Sequence, residues 1–194
     1  MKYKLYYKMG KIVLNIIIIA LVTFISKNTY AQTNMSVGAG FDIMMPVAFF
    51  SNNWSTGFGG TAEFDYAITH KSNLTGKIGY ILWSAKDLPS GISSSFKGVP
   101  LLIGLKYFPQ FMPKSLPFRL YFHMELGALF SSVSISGNSL ANSSESATDY
   151  AFVPSIGTDI PVNTNGSVDL SIRYLYVFKK SSVGIRIGYK INLL

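Results

Sequence analysis

The residue types that could carry out chemistry are few in this chain, which contains two histidines, nine acidic residues and no cysteine. His123 and Glu125 are two positions apart, a spacing that places both side chains on one face of a β-strand. A carboxylate beside an imidazole can orient it as a general base. Catalysis would also require a nucleophile, and the sequence has no Gly-x-Ser-x-Gly element. We therefore interpret His123 as a structural residue and His70 as a solvated residue of a turn.

Metal and cofactor sites are not predicted. The two histidines are far apart in the chain, and without cysteine no spacing typical of a metal site occurs. The glycines do not form a phosphate-binding loop before a helix. We predict no catalytic, no metal-binding and no cofactor-binding residue.

The elements that must position these residues follow from a repeated alternation of apolar and polar residues, which is typical of strands with two unlike faces. In the last segment Ile185, Ile187 and Tyr189 alternate with Arg186 and Gly188. Each segment is long enough for a tilted strand to cross a bilayer. The alternation predicts eight strands over residues 35–44, 58–68, 74–83, 97–108, 118–130, 150–160, 167–178 and 183–193.

The connections between these segments alternate in length, as expected for short periplasmic turns and long outer loops. The long ones are residues 45–57, 84–96 and 131–149, the last rich in serine. The turn-like ones are residues 69–73 and 161–166, and residues 109–117 are of middle length. Residues 179–182, after the seventh segment, break the alternation because they are short. Pro100 and Pro154 fall inside strands, where each removes a ladder donor, and we expect local bulges there. The segment 44–50 is interpreted as a strand end in the outer interface, or as a contact with lipopolysaccharide or a partner.

The polar face is predicted to point into the barrel. Ten glycines fall on it, and small residues leave room for large ones inside a narrow barrel. The same face carries equal numbers of acidic and basic residues, which permits the pairing that buried charges require. The predicted lumen network consists of Asp42, Glu63, Asp65, Glu125, Asp159, Asp169, Lys77, Lys106, Arg119, Arg173, Arg186 and Lys190, with His123 as a hydrogen-bonding member.

The apolar face is then predicted to meet lipid, with aromatic residues at both ends of the strands. Those near the outer loops are Phe58, Tyr80, Phe130, Tyr150, Phe152, Tyr176 and Phe178. Those near the inner turns are Tyr66, Tyr107 and Phe118. Trp54 and Trp83 are placed at the outer end as well.

The first 31 residues have the charged, apolar and small-residue order of a secretory signal peptide. Cleavage is expected after Ala31, with an uncleaved anchor as the alternative, so the barrel domain is predicted to span residues 32–194. Five of the 17 basic residues lie in this leader, which explains much of the formal net charge of +8. The charge is therefore no indication of nucleic-acid binding.

The chain ends with a segment in which Arg186, Gly188, Ile191 and Leu193 match the C-terminal signal that the barrel assembly machinery recognises in outer-membrane proteins. The final residues are aliphatic where that signal is usually aromatic. With its eight segments, residues 32–194 resemble the outer-membrane β-barrel superfamily of small OmpA- and OmpX-type barrels. The resemblance implies an all-β, eight-stranded, antiparallel, up-and-down transmembrane barrel in the bacterial outer membrane. Its expected partners are outer-membrane lipid, lipopolysaccharide, the assembly machinery and an extracellular ligand of the outer loops.

Two classes of function are left open by these observations. The first is a non-enzymatic surface barrel that serves envelope integrity, adhesion or binding through its loops. The second is an enzyme that modifies lipid A, as some barrels of this size do, and a narrow pore is a third and weaker alternative. A nucleophile beside His123 that opens to the outer leaflet would favour the enzyme, whereas a sealed His123 would favour the first class.

Overall fold

A computed structural model describes residues 35–86, 88, 92–109, 117–137 and 140–193 of the chain. The leader and its cleavage site lie outside these residues and stay predictions. The described residues form a closed barrel of eight antiparallel strands in chain order, in which β1 also pairs with β8. The predicted fold class is confirmed. The strands are β1 Met35–Pro46, β2 Gly57–Thr69, β3 Ser72–Ser84, β4 Ile92–Tyr107, β5 Arg119–Gly137, β6 Leu140–Pro161, β7 Gly166–Val177 and β8 Ser182–Leu193.

The alternation in the sequence corresponds to the inner and outer surfaces of the barrel wall. In β8, Ile185 and Ile187 are 45% and 54% exposed, whereas Arg186 between them is 1% exposed. Aliphatic and aromatic side chains cover the outer surface, and polar side chains point inward. An apolar outer wall around a polar interior is typical of barrels that span a lipid bilayer. Among the described residues, no helix is long and apolar enough to cross a membrane.

The two ends of the barrel differ. At one end, which we call the termini end, β1 begins, β8 finishes, and tight turns join β2 to β3 and β6 to β7. The second of these turns is closed by a hydrogen bond from Val162 N to Gly166 O of 3.0 Å. At the opposite end, which we call the loop end, the longer β1–β2 and β3–β4 connections and the β5–β6 hairpin are found.

The predicted loop 131–149 is strand over almost its whole length, and the predicted loop 84–96 is strand from Ile92 onward. β4 already begins at Ile92, and β5 and β6 continue as a ladder through Ser131↔Ala147 to Gly137↔Leu140. β6 pairs with β7 only from Ala151 onward, so three strands continue beyond the closed barrel. Inter-strand hydrogen bonds come from the backbone, which explains why serine-rich segments still extend the sheet. We call residues 92–97 of β4, 131–137 of β5 and 140–149 of β6 the extension.

The bulges expected at Pro100 and Pro154 are not found, and that prediction was wrong. The pairing of β3 with β4 is interrupted between Ile78↔Leu101 and Ile81↔Gly98, but the register is the same on both sides. β6 and β7 show the same interruption beside Pro154. On the other side of each proline the pairing with β5 is regular, since Pro100 pairs with Leu129 and Pro154 pairs with Met124. A proline lacks only its own N–H, so the ladder loses bonds on one side and does not shift.

Candidate functional site

The interior of the barrel is filled by two layers of different chemistry. Towards the termini end lies a set of buried charged side chains, which we call the ionic layer. Towards the loop end lies an apolar cluster, whose members among the described residues are Met44, Phe50, Ile81, Trp83, Phe96, Leu102, Leu129, Ala151, Val153, Leu175 and Val177. The sequence predicted the first layer and missed the second.

Glu63 lies at the centre of the ionic layer. Its carboxylate is 2.6 Å from Lys106 Nζ, 3.4 Å from Lys77 Nζ and 3.3 Å from Arg186 Nη1. Lys77 also contacts Glu125 at 3.0 Å. Several opposite charges around one buried carboxylate offset the cost of removing them all from water.

Two further cations each connect several strands of the barrel. Arg173 contacts Asp42 Oδ1 at 2.9 Å and Glu125 Oε2 at 3.3 Å. Lys190 Nζ lies 2.9 Å from Asp169 and 3.0 Å from Asp159. These contacts join β7 to β1 and β5 through the interior, and β8 to β6 and β7. Asp65 is 3.2 Å from both Lys106 and Lys190. The ionic layer therefore brings together eleven of the twelve charged residues that the sequence assigned to the lumen.

Arg119 is the exception. Its side chain is 63% exposed, lies 3.8 Å from Asp159 Oδ2, and covers the ring of Phe108 at 4.8 Å from the centroid. Arg119 is the first residue of β5, at the termini end, so its long side chain extends out of the mouth of the barrel. The alternation predicted its face correctly but not its depth, because a face pattern carries no information about the distance from the barrel mouth.

His123 is sealed inside the barrel, at 2% exposure. Its Nε2 hydrogen-bonds with Thr75 Oγ1 at 2.8 Å, and its Nδ1 is 3.9 Å from Glu125 Oε2. His70 is exposed, directly after β2. Within the described ranges, no group of three or more His, Cys, Asp or Glu residues is arranged to hold a metal ion. The surroundings of His123 are those of a hydrogen-bonded interior residue.

Glycine provides the space for the large polar side chains of the ionic layer. A Cβ atom at Gly40 would lie 2.8 Å from Arg186 Nε, and one at Gly157 would collide with the phenol of Tyr121. That phenol donates a hydrogen bond of 2.8 Å to Asp169. Inward-facing glycines thus allow the arginine and tyrosine side chains to lie flat against the inner wall.

Four aromatic rings close the loop end, and we call Phe50, Trp54, Trp83 and Phe96 the aromatic plug. The ring centroids of Phe50 and Phe96 are 5.2 Å apart, and those of Trp83 and Phe96 are 5.3 Å apart. Trp83 is fully buried, so it lies inside the barrel and not in an outer girdle. Edge-to-face contacts of this kind add to the stabilisation from burial itself.

The connection between β1 and β2 supplies Phe50 to the plug from a single 3₁₀ turn, Ala48–Asn52. Phe50 is 4% exposed and Phe49 is 62% exposed, so adjacent phenylalanines point in opposite directions. Val47 N donates to Ser181 O at 3.0 Å, and Lys86 Nζ donates to Ser51 O at 2.9 Å. This connection is therefore folded over the mouth, where the sequence predicted a strand end in the interface or a contact surface.

The four residues of the predicted assembly signal lie on β8, beside β1. Arg186 and Gly188 face the interior, while Ile191 and Leu193 face outward. Their recognition by the assembly machinery stays a prediction.

A closed eight-stranded antiparallel barrel with an apolar outer wall and a filled interior that contains buried charged side chains defines a small barrel of the outer-membrane type. No family model and no curated protein sequence matches the chain. Solved structures share its fold. A major outer membrane protein from Thermus thermophilus has a TM-score of 0.62 at 14% identity, covering 84% of this chain and 100% of that one. Neisserial surface protein A has a TM-score of 0.58 at 16% identity, covering 81% of this chain and 96% of that one.

A third similar structure is Ail, the attachment invasion locus protein of Yersinia pestis, in complex with the heparin analogue sucrose octasulfate. It has a TM-score of 0.56 at 13% identity and covers 83% of this chain and 97% of that one. At these identities the similarity shows a common fold, that of the small outer-membrane barrels that the sequence resembles.

Proposed function

We propose that this protein is a non-enzymatic barrel of the bacterial outer membrane that conducts no solute and presents its extension at the cell surface. The termini end would face the periplasm and the loop end the exterior. Aromatic side chains at both ends of the outer wall support a transmembrane position, with Tyr150 and Phe178 at the loop end and Tyr107 and Tyr189 at the termini end. The tight turns at the termini end support its periplasmic orientation.

The observation that carries the proposal is the filled lumen. The ionic layer and the aromatic plug lie in series, so a solute would have to separate buried ion pairs and then displace packed rings. An eight-stranded barrel is narrow enough for side chains to fill it. The sealed position of His123 supports the same conclusion for catalysis, because a substrate in the outer leaflet has no access to its imidazole.

Planar bilayers test the proposal. The purified, folded protein is expected to give no stepwise conductance, while a known porin inserted under the same conditions conducts. Lipid A from host cells that express the protein is expected to keep the mass spectrum of the empty-vector control. Reproducible channel openings would favour the pore, and a new lipid A species that disappears in the His123→Gln variant would favour the enzyme.

The extension is the part of the barrel suited to an extracellular ligand. The similar Ail protein has been crystallised with a heparin analogue. In this chain the β6 part of the extension is polar and exposed, and functional residues are commonly found on loops beyond a rigid scaffold. Binding of an extracellular ligand by the extension is thus part of the proposed function.

A further inference from the structure

The charged side chains that reach solvent at the termini end are cations. Six of the nine acids of the chain lie in the ionic layer and are at most 5% exposed. The other three belong to the β3–β4 connection and to β6, at the loop end: Asp87, Glu145 and Asp149. The termini end, by contrast, exposes Lys71 in the β2–β3 turn and Arg119 at the start of β5. We call these two residues and the exposed His70 the basic rim.

Arg119 is held at the mouth in a way that leaves its donors free. Its guanidinium lies over the ring of Phe108, 4.8 Å from the centroid. Its ionic contact among the described residues is Asp159 Oδ2 at 3.8 Å, a distance too long for a hydrogen bond. A guanidinium above an aromatic face keeps the donors at its edge available for a carboxylate. The contact with Phe108 therefore orients Arg119 without using the groups that would bind an anion.

Phe108 also fixes the position of Lys71. The backbone N–H of Phe108 donates to Lys71 O at 2.7 Å, and Lys71 N donates to Thr69 Oγ1 at 3.1 Å. The β2–β3 turn is thus tied to the chain that leaves β4, while Lys71 itself stays exposed. Both cations of the basic rim are therefore positioned through contacts with the same phenylalanine.

The position of the basic rim indicates an aqueous ligand and not a lipid. Phe108 is 8% exposed and lies two residues beyond the inward-facing Lys106, so Arg119 above it lies at the inner edge of the mouth. Lipid contacts the outer wall, where Tyr107 is 44% exposed. A ligand of the basic rim would therefore approach the mouth along the barrel axis, from the periplasm.

We propose that the basic rim binds peptidoglycan through the carboxylates of its stem peptides. The inference rests on the proposed orientation, in which the termini end faces the periplasm. Peptidoglycan is an acidic polymer beneath the outer membrane, so its charge complements the basic rim, and no exposed acidic side chain at this end repels it. A carboxylate can accept two parallel hydrogen bonds from Arg119. Each rim provides few charges, but many barrels of one membrane face a polymer with repeated carboxylates, which makes weak contacts effective together.

The test uses the protein folded in detergent and sedimented with purified peptidoglycan sacculi. The wild type is expected to sediment with the sacculi and to be released as the ionic strength rises, because exposed charges are screened by salt. A Lys71→Glu/Arg119→Glu variant should lower the apparent affinity about ten-fold. A Lys97→Glu/Lys179→Glu variant, with the same change of charge at the loop end, should bind as the wild type does. Gel mobility and circular dichroism establish that each variant is folded.

Several results would overturn the inference. They are a wild type that stays in solution, an equal loss of binding in both double variants, and equal binding to sacculi whose carboxylates have been converted to amides. Phosphatidylglycerol added to the micelles distinguishes peptidoglycan from phospholipid headgroups. The bound fraction should not change with this lipid, and displacement of the protein from the sacculi would assign the basic rim to phospholipid.

Orientation is measured separately, in cells. A His70→Cys variant is expected to react with a membrane-impermeant maleimide only after the outer membrane has been permeabilised. Labelling in intact cells would place the termini end outside and contradict the proposed orientation together with this inference. Periplasmic labelling of a protein that does not bind sacculi would overturn the inference alone and leave the proposed function standing.

Discussion

Replacing Arg173 by alanine should lower the free energy of unfolding of the barrel by about 3–5 kcal/mol, because it leaves the buried Asp42 carboxylate without its ion-pair partner. Arg173 is 4% exposed and contacts Asp42 and Glu125, so its removal breaks the ion pairs that link β7 to β1 and β5. The measurement is equilibrium urea unfolding of the protein in lipid vesicles, followed by tryptophan fluorescence.

Arg119→Ala is the matched control. This variant removes the same charge from the inner face of the wall, but at the exposed mouth of the barrel. It should lower the free energy of unfolding by less than about 1 kcal/mol. If both variants unfolded at the wild-type urea concentration, the interior would be hydrated and the ionic layer would not stabilise the barrel.

Phe50→Ala should also lower the free energy of unfolding, by about 3–5 kcal/mol, because it leaves a cavity among packed aromatic rings. Phe50 contacts Trp54, Trp83 and Phe96, and the two tryptophans are the only ones in the chain. Their emission therefore reports directly on the plug. We expect a shift to longer wavelength and stronger quenching by acrylamide in this variant.

The adjacent Phe49→Ala is the control for the plug, since Phe49 is 62% exposed. It should change the free energy of unfolding by no more than about 0.5 kcal/mol and leave the emission unchanged. An effect of Phe49→Ala as large as that of Phe50→Ala would contradict the plug and indicate that the whole β1–β2 connection acts as a surface segment.

The fold was predictable because alternation is a local property. A period of two along each strand predicts two unlike faces, and Ile185 and Arg186 in β8 lie on the faces that the sequence assigned to them. Charge balance likewise predicted the ionic layer, since buried charges require partners. Which acid contacts which base was not predictable, because it depends on the register and stagger of eight strands.

Other features of the structure could not be predicted from the alternation of apolar and polar residues along the strands. The fold of the β1–β2 connection, which buries Phe50 and exposes Phe49, is set by contacts with distant segments such as Ser181 and Lys86. The extension was missed because its alternating apolar residues, such as Val133 and Ile135, are few and its serine-rich composition is also that of a solvated loop. The inward position of Trp83 could have been predicted, because Trp83 is an even number of residues from Lys77 and Ile81 and therefore lies on the same face of β3. An interior that is polar near the termini end can still be apolar near the loop end.

The central claim is that the strands span a lipid bilayer with the apolar face outward and the filled lumen inside. Adjacent single-cysteine variants of β7, Ile172→Cys and Ser171→Cys, test it most directly in a chain that has no native cysteine. Ile172 is 57% exposed and Ser171 is 8% exposed. In vesicles, an environment-sensitive probe at residue 172 should be quenched by lipids labelled within their acyl chains, while the thiol at residue 171 should resist labelling. Quenching at 171 with protection at 172 would reverse the two faces and contradict the membrane-spanning barrel.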